Sequence, residues 1–592
     1  MQRTGVANVF AYHDERPEVL EALERAIASS GWSTHIVRPA QDWLLAESVL
    51  PGSPSPTQLR EAGLGVAEGA HELCRSTKSP PEVRELALDQ PGRLATLPGD
   101  FGFVAIGDGR AAAVRSCGGR VPFYVWHGGR AGRAGRAGPP RRLAIATRLT
   151  DLVRFLPAGP AVGPELELDP LVWGIWSAGL GLAPEHRSLY RDVVAVPRGH
   201  AAVWQDGALE VHRYFDPSPT RWPEPTAASA REHAVELRDL LLGSLEDDLD
   251  PSGGNLLTLS GGVDSSSLGA LAAGRLGLPV TSLSFVPEQP EARLRETRYI
   301  DHLTAAVNIE RRFVEPLSRR RMCELAAKAP PVCVPVLHPA LCALPAVTDE
   351  CEVSVLFGGE YADEVCGSYV TLPDWALAMG PAGLPRILGK LPTGRKDVLR
   401  WAAWQLLWPL GKPRIAWPRD LPEFVRPDVR AEYREWRRDH LRAAAGAPRP
   451  WRFLDLWSEQ DGYVAMNWEA ASELGVRRSM PFLTRGTLEL VHRCHPSELV
   501  GPGTKRILRA ALADDVPPVN LLRRDKGRGP RSRADEDVPF GPAVPRVLAD
   551  CLLSPSWAQP PPRMPVGLAA ALGPVAVAAS RLEEARRARV LG

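Results

Sequence analysis

The chain has 592 residues, of which 44% are hydrophobic and 24% are charged, and its formal net charge is +1. This length is enough for roughly two to four domains, and the composition excludes the disordered and fibrous classes. A net charge this close to zero gives no reason to expect nucleic acid or an acidic membrane as a partner. The N-terminus lacks a signal-peptide pattern and no segment reaches the roughly 20 apolar residues of a membrane span, so we expect a cytoplasmic protein. The nine cysteines are scattered without a Cys-x-x-Cys pair, which predicts neither a disulfide framework nor a structural zinc site.

Residues 1–215 contain short β-like runs separated by turn residues, with a helical segment at Arg16–Ser29. This pattern predicts a mainly β domain with a few helices. The predicted strands are Val9–Tyr12, Phe101–Ile106, Ala111–Arg115, Phe123–Trp126, Leu143–Ala146 and Ala201–Trp204. His127–Arg142, between the fourth and fifth of them, is rich in Gly, Ala and Arg. We interpret it as a solvated loop, with partner binding as the alternative.

From residue 216 onward, predicted strands and helices alternate. A helix is expected from Ala227 to Asp250, and a second one at about Arg295–Val307. The predicted strands are Leu256–Leu259, Val280–Phe285, Arg312–Val314 and Val353–Phe357. The alternation predicts an α/β domain over 216–592 with a doubly wound parallel sheet, whose ligands bind at the carboxyl ends of the strands.

The first strand of this domain is followed by Ser260-Gly-Gly-Val-Asp-Ser-Ser266 and then by a helix. Gly261 and Gly262 permit close backbone approach, and the serine hydroxyls add donors at a helix N-terminus, which favours an anion. Asp264 would repel a phosphate unless a divalent cation lay between them, which predicts Mg²⁺. The turn is neither a dinucleotide fingerprint nor a Walker A loop. We interpret it as a pyrophosphate site; the alternative is a structural Gly/Ser turn.

The pattern SGG-x-DS resembles the pyrophosphate loop of the ATP pyrophosphatases, which cleave ATP between the α and β phosphates and adenylate a substrate. Further along the chain, Gly358-Gly-Glu-Tyr-Ala-Asp-Glu364 resembles the Gly-Glu-Gly-Ala-Asp-Glu element of asparagine synthetases. By position, this resemblance implies that Asp363 is a second magnesium ligand beside Asp264 and that Glu360 aids proton removal from an attacking amine. Tyr361 takes the place of the family's middle glycine. The residues implied to bind ATP are Leu257, Ser260, Gly261, Gly262, Asp264, Ser265, Ser266, Ser284, Gly358 and Gly359.

Residues 375–450 are predicted to be helical and are rich in tryptophan. Trp401, Trp404 and Trp408 lie on one helical face, which is typical of core packing; a peptide-binding groove is the alternative.

Three later segments resemble the Arg-x-Pro-Phe-Leu-Asp, Lys-x-x-Leu-Arg and Arg-x-Lys elements of asparagine synthetases. They are Arg478–Arg485, Gly503–Ala510 and Leu522–Arg528, with Thr484 in place of the family's aspartate. The order of these elements implies that Lys526 is the catalytic lysine that stabilises the departing pyrophosphate. Lys505 is the alternative, and a solvated basic loop is the structural interpretation of the segment around Lys526.

Segments of the N-terminal region resemble the glutaminase domain of asparagine synthetases, which has an Ntn-type α+β fold. They are Gly99–Ala105, Val114–Tyr124 and Val193–His200. The family's nucleophile is a cysteine at position 2, whereas this chain has Gln2. We therefore expect an inactive glutaminase-like domain over 1–215.

Without ammonia from glutamine, the attacking amine is expected to belong to the substrate. Two branches of the family use such an amine, the lasso peptide cyclases and the β-lactam synthetases. The resemblance favours a lasso peptide cyclase, which uses ATP and Mg²⁺ to adenylate an Asp or Glu side chain of a core peptide for attack by its N-terminal amine. Its expected partners are the precursor core peptide, a leader-binding protein and a leader peptidase. The alternatives are an ammonia-dependent asparagine synthetase, a β-lactam synthetase-like ligase and an inactive scaffold.

Overall fold

The computed structural model describes residues 7–14, 16–29, 34–40, 42–49, 64–68, 78–128, 142–156, 166–177, 184, 186–215, 226–287, 289–316, 339–366, 420–445, 461–499 and 505–523. The strands are β1 (Ala7–His13), β2 (Thr34–Val37), β3 (Trp43–Val49), β4 (Leu64–Glu68), β5 (Gly102–Gly107), β6 (Arg110–Arg115), β7 (Tyr124–Gly128), β8 (Arg142–Ala146), β9 (Val193–Ala195), β10 (His200–Gln205), β11 (Ala208–Arg213), β12 (Asn255–Thr258), β13 (Val280–Val286), β14 (Ile309–Pro316), β15 (Val355–Gly358) and β16 (Arg477–Ser479).

The α-helices are α1 (Pro17–Ser29), α2 (Pro80–Asp89), α3 (Leu149–Phe155), α4 (Pro170–Ser177), α5 (Ala227–Asp248), α6 (Val263–Gly269), α7 (Pro290–Ala306), α8 (Pro339–Thr348), α9 (Ala362–Cys366), α10 (Pro427–Ala445), α11 (Asp461–Glu473), α12 (Arg485–Arg493), α13 (Pro496–Leu499), α14 (Arg506–Ala511) and α15 (Pro518–Leu521). A π-helical turn, Ala270–Arg275, continues α6, and a 3-10 helix covers Pro91–Thr96. Within the described residues, no helix has the length and apolar character needed to cross a lipid bilayer.

The N-terminal strands form two antiparallel sheets. Their strand orders are β2-β3-β1-β8-β7-β9 and β11-β10-β6-β5-β4. Alternate residues of β1, such as Val9 and Ala11, enter a core shared with Val104 and Ala113 of the other sheet, whereas Phe10 faces a core built with α1, α3 and α4. Since successive strand side chains point to opposite faces, the apolar run of β1 contributes side chains to two different cores.

The C-terminal strands form a parallel sheet of order β14-β13-β12-β15-β16. Leu257 of β12 packs on the side of α5, α6, α12 and α14, and Leu256 packs on the side of α8 and α11, so helices cover both faces. The strand order reverses at β12, and open α/β sheets bind ligands in the crevice at such a point. Thr258 and Gly358 pair in register at the carboxyl ends of β12 and β15, and the two predicted loops therefore begin side by side.

Buried polar contacts join the N-terminal sheets to the parallel sheet. Asp248, at the end of α5, pairs with Arg120 and accepts a hydrogen bond of 2.6 Å from Ser479 Oγ. Arg485 donates its backbone N–H to Asp100 Oδ2 at 2.9 Å and its guanidinium to the carbonyl of Leu97 at 2.6 Å. These contacts fix β16 and the start of α12 against the N-terminal sheets.

The predicted mixture of α and β structure, with a parallel sheet in the C-terminal part, is confirmed within the described residues. The C-terminal strand predictions overlap β12 to β15, while Thr34–Val37, Trp43–Val49, Leu64–Glu68 and Ala208–Arg213 form strands that were not predicted. Residues 129–141 of the basic loop and residues 367–419, with Trp401, Trp404 and Trp408, lie outside the described residues.

Candidate active site

The turn after β12 is shaped by its glycines and held by its own serines. Gly261 has a φ of +68°, and a Cβ there would lie 2.6 Å from Tyr299 Cβ, so only glycine fits without displacing α7. The backbone N–H of Ser260 donates to Ser265 Oγ at 3.1 Å, which closes the turn. Gly262 is the N-cap of α6 and Asp264 lies in its first turn, so the unpaired N–H groups of this helix end at the turn.

Two side chains near the end of the described chain brace this turn from outside. Asn520 Nδ2 donates to the carbonyls of Tyr299 at 2.7 Å and Gly261 at 3.2 Å. The Arg523 guanidinium donates to the carbonyl of Ser260 at 3.1 Å, pairs with Glu296 at 2.5 Å and stacks 4.0 Å above the Tyr299 ring. These donors satisfy the carbonyls of Ser260 and Gly261, while the backbone N–H of Gly262 donates to Ser260 Oγ at 3.3 Å.

The turn after β15 approaches the first one at a glycine. A Cβ at Gly359 would lie 2.6 Å from Asp264 Cβ, so the two turns meet backbone against side chain. Tyr361 keeps a left-handed φ of +68°, the conformation that the family's glycine would adopt at no steric cost. The turn leads into α9, whose first turn carries Asp363.

Lys505 joins the two acidic turns. It is the N-cap residue of α14 and is 2% exposed. Its Nζ lies 2.7 Å from Asp363 Oδ1 and also pairs with Asp264 Oδ1. Burial lowers the pKa of the Lys505 ammonium, but the two carboxylates more than offset this, so its pKa is raised and the group is a fixed cation at neutral pH.

Glu360 belongs to a second ion pair beside the first. Its Oε1 lies 2.7 Å from Arg478 Nη2, and the Arg478 side chain is fully buried and donates through Nη1 to the carbonyl of Leu356 at 2.9 Å. Burial, and next the negative charge of Glu360, raise the pKa of the Tyr463 phenol. The Tyr463 ring lies 6.2 Å from the ring of Tyr361, edge to face. Glu360 is thus a carboxylate of fixed orientation with aromatic neighbours.

The structure brings most of the predicted site residues to this crevice. Ser260, Gly261, Gly262, Asp264 and Ser265 form the first turn, and Gly358, Gly359, Glu360 and Asp363 belong to the second. Leu257 is buried inside β12 in the core behind the turn. Ser266 Oγ is buried and lies 3.3 Å from Asn520 Nδ2, which supports the turn from behind. Ser284, in β13, is 1% exposed, and its hydroxyl has no hydrogen-bond partner within the described chain.

Three findings differ from the sequence-based picture or extend it. Lys526 lies outside the described residues, whereas Lys505 contacts both aspartates. Asn520 and Arg523 were not predicted, and no motif identifies Asn520. Thr484, which replaces the family's aspartate, is the N-cap of α12 and accepts a hydrogen bond from Thr487 N at 3.2 Å. A threonine can cap a helix as an aspartate does.

The two aspartates have the ligand chemistry of a magnesium site, and in this structure the Lys505 ammonium contacts both of them. They supply oxygen ligands from two turns that meet, and Mg²⁺ is bound in proteins by one or two carboxylates together with substrate phosphates. Asp264 and Asp363 would hold the ion.

An open parallel sheet with helices on both faces, and a glycine-containing turn followed by a helix at its switch point, is the architecture of nucleotide-binding α/β proteins. The family model described as asparagine synthase matches residues 236–551, which is more than half of the chain. The chain therefore belongs to the asparagine synthase family, and it is an ATP-dependent, amide-forming ligase.

No curated protein sequence matches the chain. Among solved structures, it is similar to a glutamine phosphoribosylpyrophosphate amidotransferase from B. subtilis complexed with ADP and GMP. The two chains are 10% identical, with a TM-score of 0.19, and the match covers 52% of this chain and 81% of that one.

Proposed function

We propose that this protein adenylates a carboxyl group of its substrate and joins it to an amine of the same substrate. The observation that carries the proposal is the meeting of Asp264, Asp363 and Lys505 at the carboxyl ends of β12 and β15. This arrangement sets a buried cation and two carboxylates beside a turn suited to pyrophosphate.

In the first step, a carboxylate oxygen of the substrate attacks the α-phosphorus of ATP, the bond to the β-phosphate breaks, and pyrophosphate leaves with the electron pair. The turn at Gly261 and Gly262, with the N-terminus of α6 behind it, is proposed to bind the pyrophosphate. Lys505 stabilises the charge that develops on it, because a preorganised cation contributes most where charge appears in the transition state. When bound at Asp264 and Asp363, Mg²⁺ would neutralise phosphate charge.

In the second step, the amine attacks the acyl carbon, gives up a proton, and AMP leaves. Glu360 is the carboxylate proposed to take this proton, and Arg478 holds it in place. Lys526, the lysine implied by the order of the family's elements, stays a prediction, and Lys505 is the candidate that the contacts favour.

We propose that the amine does not come from glutamine. Cys117 is the cysteine that the described part of the N-terminal domain contains, and burial raises the pKa of its thiol well above the ordinary value, which disfavours a thiolate nucleophile there. The two antiparallel sheets with outer helices support an Ntn-type fold for residues 1–215, followed by the adenylating domain, 216–592.

The finer proposal is the macrolactam of a lasso peptide, in which an Asp or Glu side chain is adenylated and attacked by the N-terminal amine. It rests on the family resemblance and on the proposal that the attacking amine already belongs to the substrate. The proposed partners remain the core peptide, a leader-binding protein and a leader peptidase, in the cytoplasm.

The test uses the full chain with ATP, Mg²⁺ and synthetic linear peptides that place an Asp or Glu at successive distances from a free N-terminal amine. The expected products are AMP, pyrophosphate and a peptide lighter by one water, with no label incorporated from amide-¹⁵N glutamine. Asparagine formed from aspartate and ammonia would select the synthetase alternative, and a cyclised β-amino acid would select the β-lactam one. Release of ADP and phosphate would contradict adenylation.

A further inference from the structure

A cluster of three possible metal ligands lies away from the two acidic turns. His233 belongs to α5, Cys494 follows the last residue of α12, and Glu498 belongs to α13. The ligand atoms of the three side chains lie within 4.8 Å of one another. We infer that His233, Cys494 and Glu498 form a three-ligand zinc site, with its fourth position open to water, that ties α5 to the α12–α13 segment.

The ligand types favour zinc over the other common cations. Zinc is bound in proteins by imidazole nitrogen, thiolate sulfur and carboxylate oxygen, whereas Mg²⁺ and Ca²⁺ take oxygen ligands. A Zn²⁺ ion with one thiolate and one carboxylate is electrically neutral, which suits a cluster whose cysteine is 0% exposed. A water molecule would complete the tetrahedron.

The geometry requires only a small adjustment. His233 Nδ1 lies 2.6 Å from Glu498 Oε2, and this contact is an ion pair or hydrogen bond when a proton lies between them. Two ligands of tetrahedral zinc are separated by about 3.3–3.8 Å, as follows from metal–ligand distances of about 2.0–2.3 Å. Exchanging the proton for the ion therefore moves these atoms apart by about 1 Å.

The surroundings hold the ligands in place. Ser229 Oγ donates to Glu498 Oε1 at 3.2 Å, which leaves Oε2 directed at His233. The backbone N–H of Cys494 donates to the carbonyl of Leu490 at 3.0 Å. A hydrogen-bond partner on a ligating carboxylate, as Ser229 is for Glu498, is typical of protein metal sites. Because α5 also packs on α14, zinc would brace the scaffold that carries Lys505.

The experiment is a cobalt titration of the full chain after EDTA treatment and desalting, without ATP or Mg²⁺. We expect about one Co²⁺ per chain to give a thiolate-to-cobalt charge-transfer band, because one of the ligands is a thiolate. Zn²⁺ should abolish the band by displacing cobalt from the same ligands. Cys494→Ser should remove the band. Ser229→Ala should weaken cobalt binding by about 10–100-fold, the usual cost of losing an orienting partner.

Two controls place the ion. Cys351→Ser changes a partly exposed cysteine away from the cluster and should leave the band unchanged. Asp264→Asn with Asp363→Asn should also leave it unchanged, which separates this site from the ATP crevice.

Circular dichroism checks the fold of each variant. If Cys494→Ser does not fold, His233→Gln, which changes a partly exposed side chain, replaces it as the variant that removes a ligand. Zinc should raise the melting temperature of the unaltered protein and not that of His233→Gln. An absent thiolate band, a band that persists in Cys494→Ser, or an equal zinc shift in His233→Gln would overturn the site and leave the contact between His233 and Glu498 as a simple pair.

Discussion

Replacing Lys505 tests most directly the proposal that this lysine stabilises the departing pyrophosphate. Its ammonium is 2% exposed and lies 2.7 Å from Asp363 Oδ1. A unit charge about 4 Å from the charge that develops on pyrophosphate contributes about 4 kcal/mol at an effective dielectric constant of about 20. Lost oxyanion donors cost about 2.7–4 kcal/mol, which corresponds to about a hundredfold to a thousandfold in rate. We expect Lys505→Ala to lower the turnover number by this factor.

The assay separates the chemical step from ATP binding. Exchange of labelled pyrophosphate into ATP reports adenylation, and equilibrium dialysis reports the Kd for ATP, which should change little because the charge appears during bond breaking. Lys505→Arg keeps the charge but spreads it over a planar group, so it should restore only part of the rate. Lys526→Ala is the matched variant. Unchanged turnover in Lys505→Ala, with a hundredfold loss in Lys526→Ala, would show that Lys505 is not the catalytic lysine. Lys526, which the order of the family's elements implies, would then take that role.

Three further predictions concern the other charged groups. Asp264→Ala and Asp363→Ala should each abolish AMP formation while circular dichroism shows the fold retained, because each removes a proposed magnesium ligand. Arg478→Met should lower the free energy of unfolding in urea by about 3–5 kcal/mol by leaving Glu360 uncompensated in a largely buried site, and adding Glu360→Gln should recover part of this loss. Burial raises the pKa of Glu469 to about 8, so the native state holds a proton that the unfolded state gives up above about pH 4.5. The free energy of unfolding should therefore fall by about 3.5 kcal/mol from pH 5 to pH 8, and a melting-temperature profile of Glu469→Gln should lack this fall.

The fold of the C-terminal part was predictable because the strand and turn signals that specify it lie next to one another in the sequence. Each strand of the parallel sheet is a short apolar run, and each of the two motifs follows such a run, so the carboxyl-end rule brings Asp264 and Asp363 to one edge. The same rule does not place residues that come from distant parts of the sequence. Lys505 is 241 positions from its partner Asp264, and Lys526 stands in an equally suggestive basic segment. Pattern alone could not choose between the two lysines.

Long-range pairs explain the other omissions as well. His233 and Glu498 are 265 positions apart, so a rule based on Cys-x-x-Cys spacing cannot detect their cluster. Asn520 acts on the carbonyls of Gly261 and Tyr299, and its side chain is identified only once three segments have been brought together. Strand β4, Leu64–Glu68, pairs with β5 across a register shift, and a short edge strand of this kind has little periodicity to detect.

Tyr361 shows how a departure from the family's pattern is accommodated physically. A left-handed φ costs a residue with a Cβ about 1–2 kcal/mol relative to glycine, and Tyr361 keeps a φ of +68°. Its side chain is 3% exposed, and burying a large apolar ring stabilises the fold by about 1.5–3 kcal/mol, which offsets the strain. The turn therefore retains the backbone shape that places Glu360 and Asp363 on either side of it. The rings of Tyr361 and Tyr463 lie 6.2 Å apart, edge to face, so the substitution adds a second aromatic ring to the core beside Tyr463.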